Sequence, residues 1–472
     1  MPYPSEKAHR LGHVPTVNNT AVAEAFRRWE VVHSTGDISA VTASSMPVLS
    51  LPEYASAADV KSVITVDGSD SEVEATREHP TIKVGYIRVA GSLVDLDRLA
   101  NLTKPRQDGT RTPFIDPIKV RQAHNEYTFD VALPGSGLVR PGMNGVDTWR
   151  SEVERFITTT KYDADSDMTL ADALLTIHGA PGKPATEITL SSKCPSCSAS
   201  KSLTGAAPIV SKNGGRCPAC GATLYLSDVL RSYEEYTPEG SNISPLSRVM
   251  LMAEKLMTFG YLGHLAATGD AASLLRSVLF ITDGPLALHG VVAPLKRRLH
   301  EYLQALYFTH NDAAPLMVGV EKTGRFVEHA ELIRESIPKG SVMLLSRDYI
   351  NRMTGHPDGH QYGKDDFYGR RFIYRTSSGD PLVITVPPKH GVDSYTGQDC
   401  EEFGSYPTLR TVCEVLDGIR TRLYPNAVIP VALAHSAAAL PLGVGQSVLR
   451  TLTQRHLGVQ YNSQVKYRNP YS

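Results

Sequence analysis

The sequence lacks most of the features that assign a chain to a compartment or a class at sight. No apolar run approaches the ~20 residues that a membrane helix needs. The first residues, Met1-Pro2-Tyr3-Pro4-Ser5-Glu6-Lys7, contain no apolar signal-peptide core, so the expected protein is soluble and cytoplasmic. An excess of one charge is missing as well. The 48 Lys and Arg against 49 Asp and Glu leave a net charge of −1, so any nucleic-acid surface has to be local. No G-x-x-x-x-G-K-[ST] segment occurs, which excludes a P-loop ATPase. An ATP-driven step would therefore belong to another protein. Repeats of solenoid length are absent too.

Cysteine is scarce and unevenly placed. Of six cysteines, four form Cys194-Pro195-Ser196-Cys197 and Cys217-Pro218-Ala219-Cys220, separated by 19 residues. Each C-x-x-C knuckle turns two thiolates to one side, and two knuckles complete a tetrahedral sulfur site suited to Zn²⁺. With all four positions cysteine, no place is left for water, so the zinc is structural. Such a site fits a reducing compartment better than a disulfide framework does, and Cys400 and Cys413 read as ordinary thiols. Lys193, Lys201, Lys212 and Arg216 make the module basic. It either stabilises an inserted hairpin or presents a surface to DNA or to a partner protein.

What is present is ordinary globular material, 472 residues with 41% hydrophobic side chains, enough for two or three domains. The stretch Val63-Ile64-Thr65-Val66-Asp67-Gly68-Ser69 reads as a buried strand that ends at a carboxylate. Val278–Asp283 followed by Gly284 repeats the design. Further strands are expected at Thr81–Val89, Ser92–Leu96, Tyr127–Leu133, Leu316–Val320, Arg371–Thr376 and Pro381–Val386. Helices are expected at Thr148–Thr160, Pro245–Thr258 behind Ser244, Phe326–Ser336, Leu409–Leu423 and Ala432–Leu440. The pattern predicts an α/β fold, a mixed sheet flanked by helices and opened by an antiparallel meander. An N-terminal helical and extended region covers 1–58, and the main domain runs over 59–185 and 231–472. The zinc ribbon is inserted at 186–230.

Two strands ending in Asp-Gly can bring Asp67 and Asp283 into one site, although Asp-Gly is also common turn chemistry. The helix after Ser244 offers a third acid. At ~100° per residue, Leu246, Val249, Met250, Ala253, Leu256 and Met257 form an apolar arc, with Glu254 at its edge and Lys255 pointing away. A carboxylate on the core side of a helix is costly unless compensated, and a metal ion compensates it. The other reading of Glu254 is a boundary residue reaching for solvent. Clustered carboxylates suit Mg²⁺ or Mn²⁺, and two such cations serve phosphodiester hydrolysis. Lys322 and Arg325, after the strand at Leu316–Val320, are candidate phosphate contacts. The run from Tyr362 to Arg371 mixes aromatics with basic residues, as single-strand binding surfaces do.

In their order along the chain, Val66-Asp67-Gly68-Ser69, the helix carrying Glu254, Thr282-Asp283-Gly284, and Tyr424-Pro425 followed by Ala434-His435 resemble the NurA nuclease family. The resemblance spans most of the chain outside the zinc module. It implies an RNase H-like fold and a homodimeric, Mn²⁺-dependent DNA nuclease. The implied partner is a HerA-like hexameric ATPase, in DNA-end processing or defence against foreign DNA. On the same basis Asp67, Glu254 and Asp283 bind the metal, His435 assists as ligand or proton carrier, and Tyr424 lies nearby. Taken alone, His435 in an apolar helix reads as a core histidine. The competing functions are a catalytically silent zinc-ribbon adaptor for DNA or the ATPase, and a nuclease of another RNase H-like family acting on RNA.

Overall fold

The computed structural model describes residues 13–29, 44–75, 80–102, 124–163, 166–190, 193–198, 207–310, 313–357, 359–420, 428–440 and 444–458. The strands are β1 (Ser45–Pro47), β2 (Ser62–Glu74), β3 (Lys83–Asp95) and β4 (His124–Pro134). Four short ones follow in the cysteine region, β5 (Glu187–Thr189), β6 (Ile209–Ser211), β7 (Gly215–Arg216) and β8 (Thr223–Leu224). The last are β9 (Val278–Asp283), β10 (Leu316–Glu321), β11 (Ser341–Leu344), β12 (Arg370–Arg375) and β13 (Pro381–Val386). Nine of them form one mixed sheet in the order β1-β11-β12-β13-β10-β9-β2-β3-β4. Here β2, β3 and β4 are an antiparallel meander, and β9 and β10 join β2 in parallel.

The helices that frame the site are α1 (Gly145–Thr159), α2 (Leu170–His178), α3 (Ile243–Ala266), α4 (Lys296–Thr309), α5 (Leu409–Gly418), α6 (Ile429–Ala438) and α7 (Val444–Thr453). Alternation along the strands sends side chains to two faces. Val66, Ile87, Val89, Phe280 and Met317 pack with α1 to α4 on one face. Val63, Val94, Leu279, Ile281, Val318 and Val320 pack with α5 and α6 on the other. Among the described residues, no helix is long and apolar enough to cross a membrane.

Several expectations change in physically informative ways. Strand β2 does not stop at Asp67 but runs on to Glu74, paired with β3 throughout. The two strands expected at Thr81–Val89 and Ser92–Leu96 are one, β3, and the third strand of the meander is β4. The tail of β2 is polar because it meets helix ends. Glu72 accepts the Asn242 N–H at 2.8 Å and the Ser241 hydroxyl at 2.6 Å, and Asp70 accepts the Ser247 hydroxyl. Those bonds start α3 at Ile243, earlier than Pro245.

The cysteine region is built into the main core. Ile188, Leu190, Cys194, Val210, Cys217 and Leu224 bury in the same cluster as α1 to α4. Just beyond it, Arg150 of α1 forms a buried two-pronged ion pair with Asp228, both bonds at 2.8 Å.

Candidate metal centre

The parallel pairing of β9 against β2 ends at Val66↔Thr282, one residue before Asp67 and Asp283. The two strands therefore part beside Asp67 because β9 stops, while β2 runs on to Glu74. Gly284, at φ +84°, turns the chain out of β9, and its N–H bonds to the Val320 carbonyl at 2.8 Å. Both aspartates share the strand parity of Val63 and Ile281, so they rise on the α5 and α6 face. This is the carboxyl end of parallel strands next to the point where the sheet changes direction, the usual place for ligands in open α/β sheets.

Helix α6 brings the third group. His435 Nδ1 lies 2.8 Å from Asp67 Oδ2, and Asp67 Oδ1 accepts the Gly68 N–H at 2.9 Å. One ligand atom each from Asp67, Asp283 and His435 fall within 4.8 Å of one another. The imidazole is no core residue, for its side chain is 64% exposed, whereas that of Asp67 is 8% exposed. Burial, and then the neighbouring Asp283 carboxylate, push the Asp67 carboxyl above its ordinary range; His435 and Lys322 pull it back. Two carboxylates and an imidazole whose ligand atoms converge form a donor set that fits a hard divalent cation such as Mn²⁺ or Mg²⁺.

Glu254 reaches the same place from the opposite face and does not join that triad. It is buried in α3 beneath Gly68, where a Cβ would sit only 2.7 Å from Glu254 Oε1 and 2.9 Å from Met250 Cγ. Glycine is what lets this carboxylate approach the strand. Burial pushes the Glu254 carboxyl up to about 8, with Asp67 and Asp283 adding to the rise and Lys255 opposing it. Lys255 does not point away to solvent. It is 2% exposed, and burial lowers its pKa against the pull of Glu254, Asp283 and Asp67. At this point α3 is buried all round, from Met252 to Gly260, and has no wet face. Nothing in the residue type of Lys255 gave that away.

Of the two candidate phosphate contacts, Lys322 turns into the site, its Nζ 2.6 Å from Asp283 Oδ2. Arg325 is exposed at the start of the helix Arg325–Ile333. Tyr424 and Pro425 lie outside the described residues. The run from Tyr362 to Arg371 is not an open basic surface. Arg370 is fully buried and bonds the Ser394 carbonyl at 3.2 Å, while Arg371 pairs with Glu321 at 2.6 Å inside an aromatic cluster.

The cysteine cluster has the spacing a tetrahedral ion asks for. Cys194 and Cys220 sulfurs are 3.9 Å apart, and Cys197 and Cys217 sulfurs 3.8 Å. Zn–S bonds of about 2.3 Å put tetrahedral sulfurs about 3.8 Å apart. No disulfide joins the four. The Cys217 thiol is drawn down to about 7, chiefly by the Cys220 N–H and also by that of Ala219.

No protein-family model matches the chain, and no curated protein matches it. Among solved structures it is similar to the NurA nuclease from Sulfolobus solfataricus, with 8% identity and a TM-score of 0.35 over 98% of this chain and 99% of that one. A second NurA structure is similar over 94% of this chain and 100% of its own, with 10% identity and a TM-score of 0.26. A structure of NurA with manganese covers 94% and 98%, again with 10% identity, at a TM-score of 0.23.

Proposed function

We propose that this chain is a divalent-metal-dependent DNA nuclease of the NurA type, a phosphodiesterase working as a homodimer with a HerA-like hexameric ATPase. The observation that carries the reading is the meeting of Asp67, Asp283 and His435 from three distant parts of the sequence. These are residues on which the sequence resemblance rests. The order β4-β3-β2-β9-β10, an antiparallel meander extended by two parallel strands, supports an RNase H-like sheet.

Mn²⁺ or Mg²⁺ supplies Lewis-acid stabilisation of phosphodiester charge during in-line displacement. Asp67 and Asp283 would hold the cation, and Glu254, buried beneath Gly68, would add a third carboxylate once a bound cation favours its ionised form. With Asp67 ionised, His435 donates from Nδ1, which leaves Nε2 with the lone pair to take or return a proton. Lys322 balances Asp283 and, with Arg325, contacts the phosphate backbone. Tyr424 is proposed to lie near the same site. Cys194, Cys197, Cys217 and Cys220 hold a structural zinc.

The test is degradation of linear DNA with added Mn²⁺ or Mg²⁺, with and without the ATPase. Asp67→Ala and Asp283→Ala are expected to lower activity by about 10² or more, as loss of a group that stabilises transition-state charge does. Full activity in both variants sinks the site. DNA or ATPase binding with no cleavage under any divalent ion would instead fit the adaptor.

A further inference from the structure

On the face of β2 that carries Asp67, the next two residues of the same parity also reach the C-terminal helices. Ser69 Oγ accepts the Leu440 N–H at 3.0 Å and donates to the Ala438 carbonyl. Ser71 Oγ accepts from Gln446 Nε2 at 3.4 Å, where α7 begins its course over the sheet. Farther along α7, Thr453 and Tyr86 of β3 share a hydrogen bond of 2.7 Å. Asp67, Ser69 and Ser71 are thus successive rungs between one strand and one C-terminal segment. The first rung is the Asp67–His435 bond of the metal centre.

We propose that Ser69 is a positioning residue that sets the placement of His435 on Asp67. A helix ends with carbonyls that have no partner within it, and the chain leaving it exposes further N–H groups. At the end of α6 the Ala438 carbonyl and, two residues on, the Leu440 N–H meet one hydroxyl that belongs to the sheet. The helix end is therefore pinned to β2, two residues along from Asp67 and one turn beyond His435. Apolar contact pins this end weakly, since the larger buried side chains of α6, Ile429, Pro430 and Val431, lie in its first turn, while Ala434 and Ala438 beside His435 are small. Small side chains let the helix approach closely, yet they do not stop it sliding or turning. The two directional bonds of Ser69 supply that register, and through it the 2.8 Å contact of His435 with Asp67.

This inference rests on the nuclease reading for its catalytic consequence but not for the latch itself, so the test has two arms. In zinc-loaded protein without Mn²⁺ or Mg²⁺, amide hydrogen exchange is followed across residues 428–440. Ser69→Ala is expected to speed exchange of the Leu440 amide about tenfold, the loss of roughly one hydrogen bond, and Ser69→Thr to restore it. In the nuclease assay, Ser69→Ala is expected to lower kcat about tenfold with KM for DNA unchanged, and Ser69→Thr to recover most of it. In a His435→Ala background, Ser69→Ala is expected to cost nothing more, because the two act through one contact. Unchanged exchange in Ser69→Ala overturns the latch. A full additive loss in the double variant, or a loss seen in KM alone, overturns the positioning role. Activity that survives Asp67→Ala and Asp283→Ala overturns the nuclease reading instead, and leaves the exchange arm to decide the latch.

Discussion

At the scale of single residues, the centre is governed by one missing side chain and one displaced carboxylate. Gly68 has no Cβ, and Glu254 occupies the space a Cβ would take. Gly68→Ala is expected to destabilise the fold by about 1–3 kcal/mol, the usual cost of overpacking, read as a lower denaturant midpoint. Glu254 itself predicts a pH dependence. Its folded-state pKa, about 8, stands above the 4.5 of a free glutamate, so between those values the folded chain binds the extra proton. Stability from this group is full below about 4.5 and is lost as pH rises toward about 8. Lys255, shifted down, contributes a slope of the opposite sign below its ordinary range, so the comparison must be with Glu254→Gln. Metal-free wild type should lose stability on going from pH 5 to pH 8 relative to that variant. Added Mn²⁺ should reduce the loss, because a cation favours the ionised carboxylates. Equal slopes in the two proteins would remove Glu254 from the centre.

At the scale of elements, legibility followed the apolar runs. Val63–Val66 and Val278–Thr282 announced two buried strands, and the aspartates that follow them do meet. The rest of β2 was illegible because the residues Asp70-Ser71-Glu72-Val73-Glu74 look like an acidic turn. Asp70 and Glu72 are polar in order to bond helix ends, a requirement that no local pattern displays. Arg370 and Arg371 misled in the same manner, since charge suggests surface until a buried Glu321 is found opposite. The cysteine knuckles were legible from spacing alone, but their depth was not. Cys194 and Cys217 are 2% and 3% exposed and share a core with α1 to α4. Removing the zinc proposed for this cluster should therefore reach beyond the ribbon. Chelation, or Cys217→Ser, is expected to lower the melting temperature of the whole chain, alongside a measured loss of one zinc per chain. A ribbon that melts alone, leaving the main transition unmoved, would make the module a separate appendage.

At the scale of the whole molecule, the decisive quantity is the near-absence of net charge. A chain at −1 has no long-range field to draw in a polyanion, and its candidate metal centre carries carboxylates. Lys322, the cation nearest Asp283, is already engaged at 2.6 Å. Nonspecific affinity for DNA depends on how many phosphates are neutralised, and so does its salt dependence. The isolated protein is therefore expected to bind linear duplex weakly, with a shallow fall in affinity as salt rises. A translocating ATPase would overcome this by delivering strand ends at high local concentration, since tethering makes the second encounter intramolecular. The expected outcome is a large rise in the rate of DNA loss when a HerA-like hexamer and ATP are added. That rise should be absent with a non-hydrolysable ATP analogue and absent in Asp67→Ala. Fluorescence anisotropy across a salt series measures the affinity, and a gel time course measures the loss. Strong, steeply salt-dependent binding by the isolated chain, with cleavage indifferent to the motor, would show that the protein captures DNA by itself.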